Sequence, residues 1–201
     1  MTVVITDQAT AFRHRLLVAL RDSIAEVGYR NTTVADIVRR AKTSRRTFYE
    51  HFASREECYV ALMTVVHAEL ITDILAAVDR SLPWHRQVRQ AAEAWIVSLE
   101  REPAIGLSWI RDVPLLAEAG RKLQRDTMDA FAVMIEELCS GEQWSIVGGG
   151  PISRQMTVML LGGLRELFAA TLEDGGRSAD ITETAVRAAV ALMDPALHRD
   201  A

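Results

Sequence analysis

Helical periodicity runs through nearly the whole chain, and no stretch alternates polar and apolar residues as a half-buried strand must. That pattern leaves helices packed on helices as the fold. Phe12, Leu16, Leu20, Ile24 and Val27 recur at three- and four-residue steps and predict one apolar stripe. Gly28 reads as the stop, and Tyr29 begins the turn. Thr33 with Asp36 forms a variant capping box for a short second helix that ends near Ala41 and buries Ile37 and Val38. A third helix is expected from Thr43, with Phe48 and Phe52 inward. Ser54 and Glu57 make a capping box for a fourth, whose stripe runs Tyr59, Leu62, Val66, Ile74 and Val78.

Pro83 and Pro103 bracket a helix that contains Trp95, and Pro114 interrupts another that contains Trp109. A long amphipathic stretch ends at Cys139. Ser140 to Pro151, rich in glycine, reads as a loop. Two helices follow, from Ile152 to about Glu173 and from Ala179 to about Met193. Internal repeats and low-complexity tracts are not evident.

At 201 residues, 49% of them hydrophobic and 25% charged, the composition is that of a globular chain with a substantial core. No apolar run approaches the roughly 20 residues of a membrane span, so no membrane association is expected. "MTVVITDQ" lacks the basic and apolar regions of a secretory signal. Cys58 and Cys139 are solitary and read as reduced thiols, which places the expected protein in the cytoplasm. Net charge is −4, but it is unevenly spread. Residues 1–55 carry ten basic and five acidic side chains, net +5, which leaves thirteen against twenty-two, net −9, for the remainder. A basic head on an acidic body points to a polyanionic partner.

The head has an electrostatic oddity in "TSRRTFYEHFASREE". Arg45 and Arg46 stand in the first turn of the third helix, where each cation costs roughly 0.3–1 kcal/mol against the helix dipole. Two short helices joined by the tight "AKTS" turn make a helix-turn-helix, whose second helix enters the DNA major groove by its amino end. An arginine bidentate on guanine is worth about 1–3 kcal/mol of discrimination, enough to offset that placement in the bound state. Glu50 is four residues from Arg46 and is expected to pair with it in the free protein.

"TTVADIVRRAKTSRRTFYEHFASREE" resembles the TetR family of bacterial transcription regulators, and the resemblance covers Phe12 to Glu57. It implies an all-α fold, with a helix-turn-helix DNA-binding domain over residues 1–55 and a helical ligand-binding and dimerisation domain over 56–201. It implies that Thr33 places its hydroxyl and nearby N–H groups on a phosphate. Thr43, Ser44, Arg45 and Arg46 would face the major groove, Tyr49 would reach a phosphate, and His51 and Arg55 would hold the flanking backbone. Where the family carries glycine in the turn, this chain has Lys42, whose left-handed conformation costs about 1 kcal/mol.

Such regulators bind palindromic operators as homodimers, with half-sites about 34–36 Å apart or a multiple of that. Met159, Leu160, Gly162, Gly163, Leu164 and Leu167, with Val186 and Val190 from the last helix, are the expected interface. The resemblance also implies a cavity for a largely apolar effector, and Trp95, Trp109, Met128, Phe131 and Met159 are the candidate lining. His67, Glu93 and Asp112 are polar candidates for it. The expected function is ligand-released repression from operator DNA.

A helix-bundle enzyme is the alternative class. No Glu-x-x-His, His-Glu-x-x-His, Cys-x-x-Cys, phosphate loop or nucleophile elbow occurs in the sequence. The expectation is therefore no catalytic residue, no metal site and no cofactor.

Overall fold

The computed structural model describes residues 2–198. Within them lie α1 (Thr2–Val27), α2 (Val34–Arg40), α3 (Arg45–His51), α4 (Arg55–Ala77), α5 (Trp84–Arg101), α6 (Pro103–Arg111), α7 (Ala117–Leu138), α8 (Glu142–Ile146), α9 (Arg154–Glu173) and α10 (Thr182–Leu192), with short 3-10 turns between several of them. The described residues contain no strand.

Local chemistry explains most boundaries. Gly28 takes φ 79° after α1, in the left-handed region that suits glycine. Thr33 and Asp36 form a reciprocal capping box at α2. At α4, Ser54 accepts from the Glu57 amide, whereas the Glu57 carboxylate reaches the Ala53 amide, so the box closes one residue earlier than expected. α3 begins at Arg45 with Ser44 as its N-cap, so Thr43 lies in the turn before the helix rather than at its start. The Ser140–Pro151 stretch also differs from its reading as a loop. It contains α8, whose Trp144 is 5% exposed and donates its indole N–H to the Gly150 carbonyl at 3.1 Å. A Cβ on Gly149 would lie 2.3 Å from that indole, which explains a glycine there.

Two buried clusters organise the chain. The first joins Leu16, Leu20 and Ile24 of α1 to Ile37, Phe48, Phe52, Tyr59 and Leu62, and also takes in Ile105, Val113 and Leu123 from farther along. The expected boundary at residue 55 falls at the start of α4, and this cluster continues across it. Val27, expected in the α1 stripe, is 46% exposed because the chain turns away from the core at Gly28. The second cluster packs α5, α7, α9 and α10 around Ile96, Phe131, Phe168 and Val186.

α4 spans both clusters. By length and composition it is the one helix among the described residues apolar enough to cross a membrane, which the expectation from apolar runs had missed. Cys58, Tyr59, Leu62, Met63, His67 and Ile74 along it are buried against the rest of the chain, whereas 22% of its apolar window in all is buried.

Candidate DNA-binding surface and ligand cavity

The turn between α2 and α3 is a Schellman motif. Thr43 N–H donates to the Val38 carbonyl at 2.9 Å and Lys42 N–H to the Arg39 carbonyl at 3.3 Å, with Lys42 at φ 51° in the left-handed region. The expected strain at Lys42 is present, and its ammonium stands on an exposed residue beside α3. Phe48, fully buried, and Phe52, 2% exposed, anchor α3 to the core. The opposite face is free: Ser44, Arg45 and Arg46 are exposed, and Tyr49 is 56% exposed. Arg46 Nε donates to Glu50 Oε1 at 3.1 Å, the expected i,i+4 pair. Ser44 Oγ accepts from Thr47 N–H and caps the helix.

Two residues at the edge of this surface, Thr33 and Arg55, have other partners. The Thr33 hydroxyl donates to Asp36 Oδ2 at 2.6 Å, so a carboxylate sits beside the start of α2. Hydrogen bonds from Thr33 and the Arg39 guanidinium hold the Asp36 carboxyl down at about 2. His51 is half-buried in the last turn of α3. Arg55 is turned inward: its guanidinium donates to the carbonyls of Thr32 at 2.6 Å and Tyr29 at 3.4 Å and lies 4.4 Å over the Tyr29 ring. Tyr29 in turn stacks on Tyr59 at 4.0 Å, and burial pushes its phenol up to about 12. Arg55 thus clamps the α1–α2 turn onto α4, a role with no local signal among its neighbours in the chain.

A cavity of about 710 Å³ lies among α4, α5, α6, α7 and α9. Trp95, Trp109, Met128 and Phe131 line it, together with Leu99, Leu164 and Phe168. Met159 does not: it is 59% exposed, because one helical step turns it outward while Val158 and Gly162 face the space. Gly106 allows α6 to approach closely, since a Cβ there would lie 2.9 Å from both Leu99 and Phe168. A smaller space of about 90 Å³ shares Trp95, Phe131, Leu161 and Leu164 with the larger one and extends the apolar lining towards Trp84 and Trp144.

His67 lines the cavity, 8% exposed, with Nδ1 2.6 Å from the Met63 carbonyl and its ring 4.1 Å from Trp109. A carbonyl only accepts, so Nδ1 carries the proton and Nε2 is left as an acceptor. Burial lowers the imidazole to about 4, so it is neutral near pH 7. Asp112, 8% exposed, accepts from Ser108 Oγ at 2.9 Å and from Arg30 Nε at 2.8 Å, and Ser108 Oγ is 2.8 Å from the Tyr59 hydroxyl. Glu93 instead pairs with Arg89 away from the cavity.

The expected interface divides. Leu160 and Leu164 are 7% and 8% exposed and Val186 is 1% exposed; all three face their own chain's core and are corrected as interface residues. The helices are apolar on more than one side, and intramolecular packing takes these positions. Met159 and Gly163 face outward, whereas Gly162, Leu167 and Val190 are half-buried. Nothing lies within 4 Å of a Cβ built on Gly162 or Gly163.

A capped helix-turn-helix with its cationic face outward, set on a helical body, has the form of a DNA-binding regulator of transcription. Residues 16–62, which hold the helix-turn-helix, match the family model described as bacterial regulatory proteins, tetR family. It is similar to the HTH-type transcriptional activator FasR of Mycolicibacterium smegmatis, 27% identical over 90 residues; the match spans 45% of this chain and only 41% of that relative. The fold resembles that of the fatty acid degradation regulator FadR from Bacillus halodurans, at 14% identity and TM-score 0.76, covering 94% of this chain and 97% of the other. FadR from Bacillus subtilis, solved in complex with stearoyl-CoA, aligns at 12% identity and TM-score 0.75 over 90% and 98% of the two chains.

Proposed function

We propose that the chain is a ligand-responsive repressor that binds a palindromic operator as a homodimer and is released by a small, largely apolar effector. The observation that carries the DNA reading is the pairing of Arg45 and Arg46, both exposed, on the first turn of a helix whose other face is fixed by Phe48. Residues 1–55 form the reading head, with Thr43, Ser44, Arg45 and Arg46 at base edges and Lys42, Tyr49 and His51 on phosphates. Thr33 contributes backbone N–H groups, because its hydroxyl is held by Asp36. Arg55 acts mainly by shaping the turn. On docking, Arg46 exchanges Glu50 for a base edge.

The cavity supports the effector half of the proposal. Its volume falls within the roughly 300–1,000 Å³ usual for small-molecule sites, and its walls are mostly aromatic and aliphatic. The stearoyl-CoA complex of the similarly folded FadR favours a long apolar ligand here as well. Residues 56–201 hold this site and the dimer contacts, the latter through the outward faces of α9 and α10 around Met159, Gly163 and Val190. A dimer seated on a promoter excludes polymerase, hence repression; the activator name of the FasR relative favours the opposite sign as a second reading. Regulation rather than catalysis, in the cytoplasm, is the expected setting.

Selection of bound sequences from random DNA, repeated with long-chain acyl compounds, tests this reading. A palindrome lost on ligand addition supports it. Absence of any enriched sequence overturns it, and a reporter assay decides between repression and activation.

A further inference from the structure

We propose that Arg165 receives a negatively charged head group, so that the effector is an amphiphile with an anionic end at Arg165 and an apolar body among the tryptophans. The inference rests on the reading of the cavity as the effector site and adds the chemical class of its ligand.

Three arginines line the cavity: Arg21, Arg101 and Arg165. Arg21 is neutralised by Glu69 at 2.7 Å and Glu102 at 3.5 Å, and Arg101 by Asp73 at 2.9 Å. These pairs also occupy the carboxylates that line the cavity, Glu69, Asp73 and Glu102. Arg165 differs. Among the described residues no carboxylate lies in ion-pair contact with it, and its Nε, like that of Arg21, is buried without a hydrogen-bond partner. The adjacent Glu166 does not supply one, because both its oxygens accept from Arg111, at 3.1 and 2.9 Å.

A buried guanidinium donor without an acceptor is unfavourable unless something that binds there completes it. A carboxylate or phosphate oxygen matches the planar fork of donors and its permanent charge. The other two arginines of the lining are already paired with carboxylates, and His67 is neutral, its Nε2 an acceptor. Arg165 stands on α9 one turn from Gly162 and Leu161, which also line the space, so a head group held there leaves its tail against the apolar lining.

Trp95 and Trp109 line the cavity and report occupancy by fluorescence. The wild-type chain is titrated with dodecanoate, dodecanol and dodecyltrimethylammonium, as are Arg165→Gln, Arg165→Lys and Arg165→Glu. Dodecanoate is expected to bind wild type at least about tenfold tighter than dodecanol, a gap of roughly 1.4 kcal/mol. Arg165→Gln should erase that gap while leaving dodecanol affinity in place, Arg165→Lys should keep part of it, and Arg165→Glu should shift preference to the cationic probe. Thermal denaturation and operator binding establish that each variant is folded. Equal binding of dodecanoate and dodecanol by wild type, or an unchanged gap in Arg165→Gln, overturns the assignment of Arg165 while leaving the cavity reading intact. Failure of all three probes to bind overturns the cavity reading and this inference with it.

Discussion

Arg30 Nε donates to Asp112 Oδ1 at 2.8 Å, and this one ion pair ties the turn after α1 to the end of α6. Asp112 also accepts from Ser108, whose hydroxyl meets that of Tyr59 on α4. α6 walls the cavity through Ile105, Gly106 and Trp109, so the chain of hydrogen bonds joins the cavity wall to the turn that precedes α2. Asp112→Ala removes the acceptor at the centre of this chain and should destabilise by roughly 1–3 kcal/mol in urea denaturation. Asp112→Asn keeps the Ser108 contact but not the ion pair. It should fold well and lose part of the ligand-dependent change in operator affinity. An unchanged ligand response in Asp112→Asn would show that the coupling runs elsewhere.

Arg46→Ala should lower discrimination at one base position by about 1–3 kcal/mol, read by anisotropy on operators substituted one pair at a time. Arg55→Ala should behave differently. It removes the clamp on the carbonyls of Thr32 and Tyr29, so its main effect is a lower melting temperature, with DNA affinity reduced alike for all sequences. Operator affinity should also fall steeply with salt, as expected of a surface that releases counterions.

Lys42→Gly relieves a left-handed lysine and should stabilise the chain by up to about 1 kcal/mol. The same change removes a cation beside α3, so operator affinity should fall while the melting temperature rises. Parallel changes in the two readouts would contradict this account.

His67 makes stability depend on pH. Its folded value of about 4 lies below the ordinary 6.5, so the unfolded chain binds the proton more readily. The stabilisation is complete above about pH 6.5 and is lost as pH falls towards 4, on the order of 2–3 kcal/mol across that interval. Urea midpoints measured at pH 7, 5.5 and 4.5 should show this slope, and His67→Gln should flatten it. Asp36, held at about 2 by Thr33 and Arg39, contributes in a lower window, below its ordinary 3.8.

The two faces of α9 give a paired test of the dimer. Leu160→Ala cuts into the chain's own core and should cost about 2–5 kcal/mol. Gly163→Arg meets open space in the single chain, so its fold should persist. Light scattering should then find the wild type dimeric and Gly163→Arg monomeric. A fully dimeric Gly163→Arg would remove this face from the interface.

Features set by neighbours in the sequence were legible before the structure. The Thr33–Asp36 cap, the Gly28 stop, the left-handed Lys42, the Arg46–Glu50 pair and the inward Phe48 and Phe52 all depend on contacts within a few residues. So were Trp95, Trp109, Met128 and Phe131 of the cavity lining, because large residues on the central helices have few other places to go. What stayed hidden depends on partners far along the chain. Periodicity cannot say which side of a mostly apolar α9 turns inward, so Leu160 was expected at the interface and Met159 both there and in the cavity. Arg55 has the same sequence context as a phosphate-binding arginine, and only the Thr32 and Tyr29 carbonyls beneath it reveal its use. Glycines around Trp144 resembled a plain loop because the indole that organises them is a single residue.

The first buried cluster does not stop with α4; Ile105, Val113 and Leu123 complete it. The helix-turn-helix therefore rests in a socket moulded in part by helices that follow α4. Chimeras that transplant one regulator's specificity onto another's sensor would inherit a mismatched joint unless these three positions travel with the graft.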